Sequence, residues 1–349
     1  MRGSPKEDRH DGGYVTATTN TVDIRKSRPR AHNSLRVLVV TNMFPTPDEP
    51  WFGSFVRDQV EDLRDLGIQV RVFQFDGRLH ALNYMRAGRE VRRIVVQEHF
   101  DVVHAHYGLT GAVAGVQRHV PTLTTFHGSD YTGAIPWQRH VSWLVSRRSL
   151  PVFVSEEGRR ALGHPSAAVI PTGVDTELFQ PIDRRVARRR LGWEEDARYI
   201  LLPGARSLPG KRVDLFDAAV AEVRKDVPCA RGVALQGFSR EQAALVLNAV
   251  DVTLMTSDRE GSPVTVRESL ACMTPVVSVE VGDVAAVVAD LPGCGIFPRQ
   301  ARALAKGVLD ALTAERDAEL RRRAEQTSRR RVAERLAALY TDIASPVGR

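Results

Sequence analysis

Short apolar segments alternate with amphipathic ones twice along this chain, and this alternation constrains its fold more than any other feature. In the first series, LRVLVVT starts at Leu35 and has the pattern of a strand buried on both faces, as in a parallel sheet covered by helices. The elements predicted after it are a helix over 55–66, a strand over 68–75, a helix over 82–97 and strands over 101–106 and 121–126. Such alternation predicts βαβ units in a doubly wound sheet.

A second series follows the basic, proline-containing stretch QPIDRRVARRRLGW. Strands are predicted at 197–204, 233–237, 251–256 and 274–279, and helices at 212–223, 240–249 and 264–271. The chain is therefore predicted to be an α/β protein with two Rossmann-like, doubly wound domains. The N-terminal domain covers 35–178, a linker covers 179–198, and the C-terminal domain covers 199–314.

The two ends of the chain differ from this pattern. Residues 1–34 are polar and lack apolar periodicity, so a disordered tail is expected there. One long helix is predicted from about residue 314 to residue 343, and the C-terminal helical segment of the chain is taken as 315–349. Its apolar positions Val332, Leu336, Leu339 and Tyr340 recur at helical spacing and should pack on protein. The simpler interpretation of its arginine runs, 321–323 and 329–331, is a solvated face.

Composition limits the function classes. With 349 residues, 43% of them hydrophobic, the chain can form two globular domains. Its formal net charge of +7 indicates an anionic partner only if the arginine runs converge. Cys229, Cys272 and Cys294 lie far apart without CxxC spacing, which argues against a disulfide framework. No apolar stretch is long enough to cross a bilayer, and charges occupy the place of a signal-peptide core, so a cytoplasmic location is expected.

Ligands of open α/β sheets bind beyond the carboxyl ends of the strands, and the loops there hold candidate residues. Gly53 precedes the helix at 55–66 and lets the backbone approach a ligand, although an ordinary turn glycine is equally consistent. His127 follows a strand and could hydrogen-bond a hydroxyl or transfer protons near neutral pH; a structural role is also open. His104 and His106 lack a nearby third ligand, so a metal site is not favoured. The absence of GxGxxG argues against a nicotinamide-dependent oxidoreductase.

Two basic residues stand in the loop after the first strand of the second series. Arg206 lies in that loop and Lys211 at the predicted start of a helix. A cation there meets the positive end of the helix dipole, which is unfavourable unless an anion lies between them. The pair predicts a clamp for a diphosphate, and a surface salt bridge is the alternative.

The segment DREGSPVTVRE is the most informative part of the chain. Glu260 follows a buried strand, and Glu268 lies inside the next helix on the face of Val264, where it interrupts an apolar stripe. Because a buried carboxylate without partners is costly, Glu268 either joins an ion pair or accepts hydrogen bonds from two vicinal hydroxyls, such as those of a ribose. Glu260 would then face the group that the ribose-bearing ligand carries, and free amides after Gly261 favour anions.

EGSPVTVRE also resembles the E-x7-E signature of glycosyltransferase family 4, the retaining nucleotide-sugar enzymes of the GT-B fold, with Glu260 and Glu268 as the two acids. Further matching motifs are FPTP, FGSF, HAHYG, TFHGSD, FVSE and IPTGVDTELF. The resemblance covers nearly everything from Leu35 to Ile343 and is greatest to bacterial enzymes of polysaccharide and secondary-metabolite assembly. It implies two domains that face a central cleft and a C-terminal helix that crosses back to the N-terminal domain.

The resemblance also implies roles for individual residues. Glu260, Arg206, Lys211 and His127 would be catalytic: Glu260 and His127 reach the transferred sugar, and the two cations neutralise the departing diphosphate. Glu268 would hold the donor ribose. The donor-binding residues implied are Glu268, Gly261, Ser262, Pro263, Val264, Gly53, Gly128 and Asp130. The family generally needs no metal held by a DxD motif, and none occurs here. The expected partners are a UDP- or GDP-linked sugar and a sugar-bearing acceptor, with no cofactor.

The chain departs from the family pattern at a few positions. Met273 stands after LAC, where the family usually has a small residue, and the family motif IPNGVD has the form IPTGVD in this chain. The region after the helix at 212–223 is shorter than is typical, which leaves the identity of the donor's nucleotide base open. A sugar-nucleotide epimerase of the same fold and a basic protein that binds nucleic acid or an anionic surface are alternatives. Paired acids in the strand-end loops argue against nucleic acid. A lipid-linked acceptor would bring the chain to the inner membrane face, where the arginine clusters 321–323 and 329–331 are candidates for weak contact.

Overall fold

The structure is a computed structural model that describes residues 35–344, except 48, 50, 51, 78–80 and 134. The tail predicted over 1–34 lies outside these residues. The described strands form two separate sheets in which all pairings between neighbouring strands are parallel. The predicted α/β class with two doubly wound domains is confirmed.

The N-terminal sheet has six strands in the order β2-β1-β3-β4-β5-β6. They are β1 (Arg36–Thr41), β2 (Gln69–Gln74), β3 (Val102–His106), β4 (Thr122–Phe126), β5 (Leu150–Phe153) and β6 (Ala168–Val169). All of β3 and all but the first residue of β1 are buried, because helices cover both faces of the sheet.

The helices of this domain are α1 (Ser54–Asp65), α2 (Ala81–Gln97), α3 (Gly108–Ala114), α4 (Gly128–Thr132), α5 (Pro136–Ser146) and α6 (Glu156–Ala161). Crossovers between parallel strands are right-handed, which places α1 on one face of the sheet and α2, α3 and α5 on the other. The core agrees with this arrangement. Val56 and Val60 of α1 belong to one apolar cluster, and Val91 and Ile94 of α2 belong to another.

The C-terminal sheet has five strands in the order β11-β10-β9-β7-β8. They are β7 (Arg198–Leu202), β8 (Ala230–Ala234), β9 (Val252–Met255), β10 (Val276–Ser278) and β11 (Gly295–Ile296). The helices around it are α7 (Arg184–Leu191), α8 (Val213–Asp226), α9 (Arg240–Ala249), α10 (Val264–Ala271), α11 (Val284–Val288) and α12 (Ala301–Thr313). One apolar cluster, which includes the fully buried Phe216 and Leu254, fills this domain.

Several element boundaries in this half differ from the predictions. The strand predicted at 233–237 is β8 at 230–234, because Gly237 has a φ of +76° and Ser239 then caps α9. The helix predicted at 212–223 is α8, which begins at Val213 and continues to Asp226. The stretch predicted as a linker over 179–198 contains α7, which packs against α9 and so adds to the C-terminal domain.

The single helix predicted over 314–343 is wrong. The segment forms α13 (Ala318–Glu325) and α14 (Arg329–Ala344), and between them the chain pairs with residues near Val174. The N–H of Val174 donates to the carbonyl of Thr327 at 3.0 Å, and the N–H of Arg329 donates to the carbonyl of Val174 at 2.9 Å. These bonds to a distant segment take the place of helical hydrogen bonds, so α13 ends before α14 begins.

The last helix returns to the N-terminal domain. It packs beside α1, and Val332, Leu336 and Tyr340 are buried in the same apolar cluster as strand β1. The predicted spacing of apolar positions therefore does define the packed face of α14. None of the helices in the described part of the chain combines the length and the apolar character needed to cross a bilayer.

Half of the six arginines in the two runs fit the expected solvated face, since Arg322, Arg330 and Arg331 are exposed, but the other three are engaged by the protein. The guanidinium of Arg321 donates to three carbonyl oxygens, those of Thr176, Phe179 and Ala271. The guanidinium of Arg323 donates to three more around the end of α11, those of Ala286, Val287 and Ala289. Both arginines lie on α13, and since a guanidinium has five N–H donors, their side chains tie this helix to the C-terminal domain.

Arg329 joins the two halves of the chain through charge. Its Nη2 lies 2.7 Å from Oδ1 of Asp62, and its Nη1 lies 3.6 Å from Oδ2 of Asp58 and 3.4 Å from Oδ2 of Asp175. Asp58 and Asp62 lie on α1, whereas Asp175 lies beside the segment that pairs with residues 327–329. This cluster fastens α14 to α1 at the edge of the cleft.

We expect Arg329→Gln to lower the free energy of unfolding by about 3 kcal/mol, because it leaves partly buried carboxylates without their cation. The control is Arg330→Gln, since Arg330 is exposed and its pairing with Glu334 should contribute less than about 1 kcal/mol. Urea unfolding followed by circular dichroism measures both. Equal stability of the two variants would show that the cluster around Arg329 does not hold α14 in place.

Candidate active site

Loops at the carboxyl ends of the two sheets meet across a cleft. The loop after β4 touches the loop after β9 at Gly128 and Gly261. A Cβ atom at Gly128 would lie 2.7 Å from the backbone nitrogen of Gly261 and 2.8 Å from its Cα, and a Cβ at Gly261 would meet the same atoms of Gly128 at the same distances. Any side chain would push the two backbones apart, so the glycines permit the close approach of the domains.

Asp130 organises the N-terminal side of this contact. One carboxylate oxygen accepts the N–H of His127 at 2.7 Å. The other accepts the N–H of Gly108 at 2.8 Å and the hydroxyl of Ser142 at 3.2 Å. Burial raises the pKa of Asp130 to about 6, against the lowering effect of these hydrogen bonds. Because protein donors occupy both oxygens, Asp130 holds the loops after β3 and β4 together, which differs from the donor-binding role expected of it.

His127 lies at the end of a row of three histidines. The ring centroids of His104 and His106 are 4.5 Å apart and those of His106 and His127 5.6 Å apart, with Nδ1 of His106 3.3 Å from Nε2 of His127. His104 is fixed by the hydroxyls of Tyr340 and Thr125. Burial lowers the pKa of His106 to about 3 and that of His127 well below its usual value. A neutral His127 can hydrogen-bond a ligand, but it does not fit the proton-transfer role near neutral pH that was left open above.

The contacts of the three histidines also bear on whether His104 and His106 could bind a metal ion. The polar contacts of His104 are to hydroxyls from two other elements, which makes it structural. Within the described ranges, no group of three or more histidine, cysteine, aspartate or glutamate side chains is arranged to hold a metal ion.

Tyr107 is a site residue that the sequence did not single out. Its φ of +75° is uncommon for a residue with a side chain, and such strain concentrates at functional sites. Its ring lies 4.4 Å from that of His127, and the ring of Phe55 lies 5.1 Å from His127 on another side. Burial raises the pKa of Tyr107. The motif HAHYG was the only sequence signal for it.

Gly53 places the first helix at the cleft. It has a φ of +71°, and a Cβ there would lie 2.4 Å from the carbonyl carbon and oxygen of Met43. Both the backbone conformation and the close approach of the loop after β1 therefore require glycine. In the structure Gly53 contacts protein backbone, which fits a positioning role for α1.

The turn into α10 is held by a buried arginine. The hydroxyl of Ser262 donates to Oδ2 of Asp283 at 3.0 Å, and Nη2 of Arg267 donates to the same oxygen. Asp283 follows Gly282, whose φ is +55° and where a Cβ would lie 2.7 Å from the carbonyl of Gly261. Arg267 is 2% exposed, so this pair fixes the loops after β9 and β10 to each other. The predicted residues Gly261, Ser262, Pro263 and Val264 together form this turn.

Glu268 is a half-buried residue on α10. No group in the described part of the chain hydrogen-bonds or forms an ion pair with its carboxylate, which leaves the ion-pair interpretation unsupported. Desolvation raises its pKa to about 7; the charge of Arg240 opposes this shift, while Asp175 and Asp58 add to it. A desolvated, unsatisfied carboxylate at the edge of a cleft is suited to hydrogen-bonding a ligand.

The predicted basic pair is divided between two acids. Nζ of Lys211 lies 2.7 Å from Oε1 of Glu260, so the catalytic candidates Lys211 and Glu260 are adjacent. Arg206 instead pairs with Asp217 at 2.5 Å on an exposed surface. Lys211 also ends a short 3-10 turn, Pro209–Lys211, and does not begin α8 as predicted. A clamp on one anion therefore requires Arg206 to leave Asp217.

A polar cavity of about 370 Å³ opens between the domains beside Glu260. The N-terminal domain contributes Thr132, Glu157 and Arg160, and the C-terminal domain contributes Asp258, Arg259, Glu260, Glu280, Val281 and Gly282. Its four carboxylates outnumber its two guanidiniums, so it fits a ligand rich in hydroxyl groups better than an anion.

An ion pair across the cleft was also missed by sequence reasoning. Nη1 of Arg240, at the start of α9, lies 2.5 Å from Oδ2 of the buried Asp58 on α1. These residues are 182 positions apart, and a charge pattern along the chain has no signal for such a partner. The pair adds a second contact between the domains.

The raised pKa of Glu268 predicts a pH effect on stability. A carboxyl group whose pKa rises on folding, here from an ordinary 4.5 to about 7, costs stability that grows as pH rises through this window. We expect Glu268→Gln to stabilise the chain more at pH 8 than at pH 5, by roughly 2 kcal/mol. The measurement is the urea unfolding of both proteins at both pH values.

The control for this experiment is Glu315→Gln, because Glu315 is exposed. The free energy of unfolding of this variant should differ from that of the wild type by the same amount at both pH values. A Glu268→Gln variant that is destabilised equally at both would point to a hydrogen-bonded structural carboxylate.

Comparisons with known proteins show which sequences and structures this chain is similar to. The family model described as Glycosyltransferase Family 4 matches residues 32–178, and the one described as Glycosyl transferases group 1 matches residues 228–331. The D-inositol 3-phosphate glycosyltransferase of Geodermatophilus obscurus is 30% identical over 246 residues, which are 55% of this chain and 54% of that protein. The chain thus spans about half the length of such relatives.

Two further similarities extend over more of the chain. The putative teichuronic acid biosynthesis glycosyltransferase TuaC of Bacillus subtilis is 24% identical over 346 residues, 78% of this chain and 88% of that protein. The structure of Anabaena HepE in complex with UDP matches with a TM-score of 0.67 at 14% identity and covers 88% of this chain and all of that one. The predicted GT-B fold and family are confirmed. The chain belongs to glycosyltransferase family 4.

Proposed function

We propose that this protein is a retaining glycosyltransferase that moves a sugar from a UDP- or GDP-linked donor to a hydroxyl of a sugar-bearing acceptor. The observation that carries the proposal is the arrangement of acids at the cleft. Glu268 is desolvated and lacks a partner among the described residues, while Glu260 pairs with Lys211 beside the contact of Gly128 with Gly261.

Each residue then has a task. Glu268 accepts hydrogen bonds from the two ribose hydroxyls of the donor, which satisfies its carboxylate. Lys211 moves from Glu260 to the diphosphate, and Glu260 becomes free to accept hydrogen bonds from the transferred sugar. The neutral His127 hydrogen-bonds that sugar from the other domain. The backbone amides at the start of α10 offer further donors to the ligand.

Leaving-group charge is the main electrostatic problem of the reaction. As the bond between the anomeric carbon and the diphosphate breaks, the diphosphate keeps the electron pair and gains negative charge. We propose that Lys211 and Arg206 stabilise this charge in place of a bound metal ion. Electrostatic stabilisation of developing charge is usually the largest single contribution to catalysis of this kind.

The donor and acceptor are proposed from chemistry and from relatives. HepE binds UDP, which favours a uridine donor, although the sequence leaves GDP open. The cavity beside Glu260 would take the acceptor, since its carboxylates can accept hydrogen bonds from sugar hydroxyls. The name of TuaC refers to teichuronic acid biosynthesis, and we propose for this chain a role in glycan or metabolite assembly in the cytoplasm.

Product analysis tests the proposed function. A thermal-shift screen of UDP- and GDP-sugars identifies the donor, because a ligand that binds only the folded chain stabilises it by mass action. Incubation of that donor, labelled in its sugar, with candidate glycan acceptors should yield a glycoside that retains the anomeric configuration. An epimerised nucleotide sugar and no glycoside would assign the chain to the epimerase class.

The cations should matter for turnover. We expect Lys211→Ala and Arg206→Ala each to lower turnover about a hundredfold, the scale for one preorganised electrostatic group. The fold-loss of turnover in the double variant should be smaller than the product of the two single fold-losses, since both cations act on one diphosphate. Lys225→Ala and Arg231→Ala are the controls, because both side chains are exposed and ion-paired far from the cleft. Near-normal turnover of Lys211→Ala would refute the clamp.

Close approach of the domains should matter as well. In Gly128→Ala the added methyl group would lie within 2.7 Å of backbone in the other domain, so the domains cannot close fully. We expect turnover to fall about a hundredfold, because small misplacements of reacting groups have such effects. Thermal stability should change little, since the domains can separate. Ser129→Ala, on the same short helix, is the control, and equal activity of the two variants would contradict closure at this point.

A further inference from the structure

Exposed apolar side chains are concentrated on one face of the N-terminal domain. Of the ten large apolar side chains exposed in the described residues, eight lie on or at the ends of the layer formed by α2, α3 and α5. They include Leu82 at 60% and Met85 at 59% exposure on α2, and Trp137 at 58% and Trp143 at 38% on α5. Exposed apolar clusters of this kind mark interaction surfaces. We call this surface the α2/α5 face.

The same face is strongly basic. Residues 81–155 contain eight arginines and four acidic residues, and all eight arginines are exposed. The acids are committed elsewhere: Asp130 is buried, Glu98 pairs with Arg71, and Asp101 accepts the N–H of Arg36. Among the described residues, one of these eight arginines pairs with an acid: Arg93 pairs with Glu90. The face therefore combines uncompensated positive charge with apolar side chains.

On α5 the two features are in direct contact. The guanidinium of Arg147 lies 3.9 Å from the ring centre of Trp143, and the ring of His140 stacks on the same tryptophan at 5.8 Å. Arg139 and Arg148 are exposed on or beside the same helix. A short helix with exposed tryptophan and arginine is typical of elements that lie in the headgroup region of a membrane.

The face also borders the cleft. Helices that follow parallel strands begin at the carboxyl edge of the sheet, so Leu82 and Met85 at the start of α2 and Trp137 at the start of α5 lie near the rim. Thr132 lines the cavity beside Glu260, and Trp137 follows it by five positions along the chain. A surface bound to the α2/α5 face would therefore lie close to the mouth of that cavity.

We propose that the α2/α5 face binds an anionic lipid surface and that the acceptor is presented from that surface. The arginines attract acidic headgroups, and Leu82, Met85 and Trp137 enter the interface between headgroups and acyl chains. The conclusion about a lipid-linked acceptor rests on the proposed function, whereas lipid binding itself does not. Nucleic acid fits the face less well, because its exposed aliphatic side chains have no counterpart in a phosphate backbone.

This assignment replaces the clusters 321–323 and 329–331 named above as candidates for membrane contact. The guanidiniums of Arg321, Arg323 and Arg329 are engaged by carbonyl and carboxylate oxygens of the protein. They are therefore not free to bind headgroups. Arg322, Arg330 and Arg331 remain exposed, and they supply a matched control.

The test is co-sedimentation of the full chain with vesicles of phosphatidylcholine, with and without phosphatidylglycerol, at low and high salt and without donor or acceptor. We expect binding only to the vesicles with phosphatidylglycerol, and release at high salt because exposed charges are screened. The triple variant with Arg139→Gln, Arg147→Gln and Arg148→Gln should bind at least about tenfold more weakly. The control with Arg322→Gln, Arg330→Gln and Arg331→Gln loses the same charge and should bind like the wild type.

A second measurement reports contact of the tryptophans with lipid. Lipids brominated on their acyl chains should quench the tryptophan fluorescence of the wild type, and the double variant Trp137→Phe, Trp143→Phe should lose most of that quenching. Circular dichroism and donor binding show that the variants remain folded. An intact protein that stays in the supernatant at low salt would overturn the proposal, as would equal binding of the two arginine variants.

Other occupants of the face would also appear as distinct results. Concentration-dependent dimerisation that is lost in the α5 variant would assign the face to a second copy of this chain. Salt-sensitive binding of a short oligonucleotide, without vesicle binding, would assign it to nucleic acid. Either result overturns lipid binding, and both leave the donor and product assays of the proposed function unaffected.

Discussion

The arrangement of the two domains depends on charged contacts between helix α1 and segments from the second half of the chain. Asp58 pairs with Arg240 of α9, and Asp62 pairs with Arg329 at the start of α14. Asp58 is buried, so the loss of a cation would leave a charge in a poorly solvated place. These contacts hold α1 close to the C-terminal domain, and the loops after β4 and β9 then meet at two glycines. The cleft and its cavity follow from that arrangement.

The electrostatics of the cleft suit a site that waits for a ligand. Glu268 is desolvated without a partner among the described residues, whereas Lys211 and Glu260 form an ion pair with each other. A nucleotide sugar would reverse this pattern, because its ribose can satisfy Glu268 and its diphosphate can take Lys211 from Glu260. The unfavourable desolvation of Glu268 is thus a stability cost that the proposed donor would offset. Asp130, which holds the loops after β3 and β4, by contrast has both carboxylate oxygens engaged by protein donors.

Prediction from sequence succeeded where the signal is local. The strands around Val37–Val40 and Val252–Met255 are apolar runs between loop signals, and only a strand covered on both faces fits them. The turn, the helix and the carboxylate of Glu268 on an apolar helix face could be predicted from the segment 260–268, because helical periodicity fixes which positions share a face. The prediction of one long terminal helix failed because the break at residues 326–328 depends on hydrogen bonds with Val174. The local sequence contains no proline or glycine that would indicate such a break.

The sequence by itself determined the two α/β domains, the acids and cations at the carboxyl ends of the strands, and the family. These features follow from periodicity, from residue type and from an ordered series of motifs, all of which are readable along one chain. Only the tertiary structure decided which charges meet. It paired Arg206 with Asp217 and Lys211 with Glu260, committed Asp130 to backbone donors, and used much of the terminal arginine runs for internal contacts. It also placed uncompensated arginines beside exposed tryptophans on the α2/α5 face. The physical reason is that a charge is neutralised by neighbours within a few ångströms in space, and those neighbours come from positions that are remote in sequence.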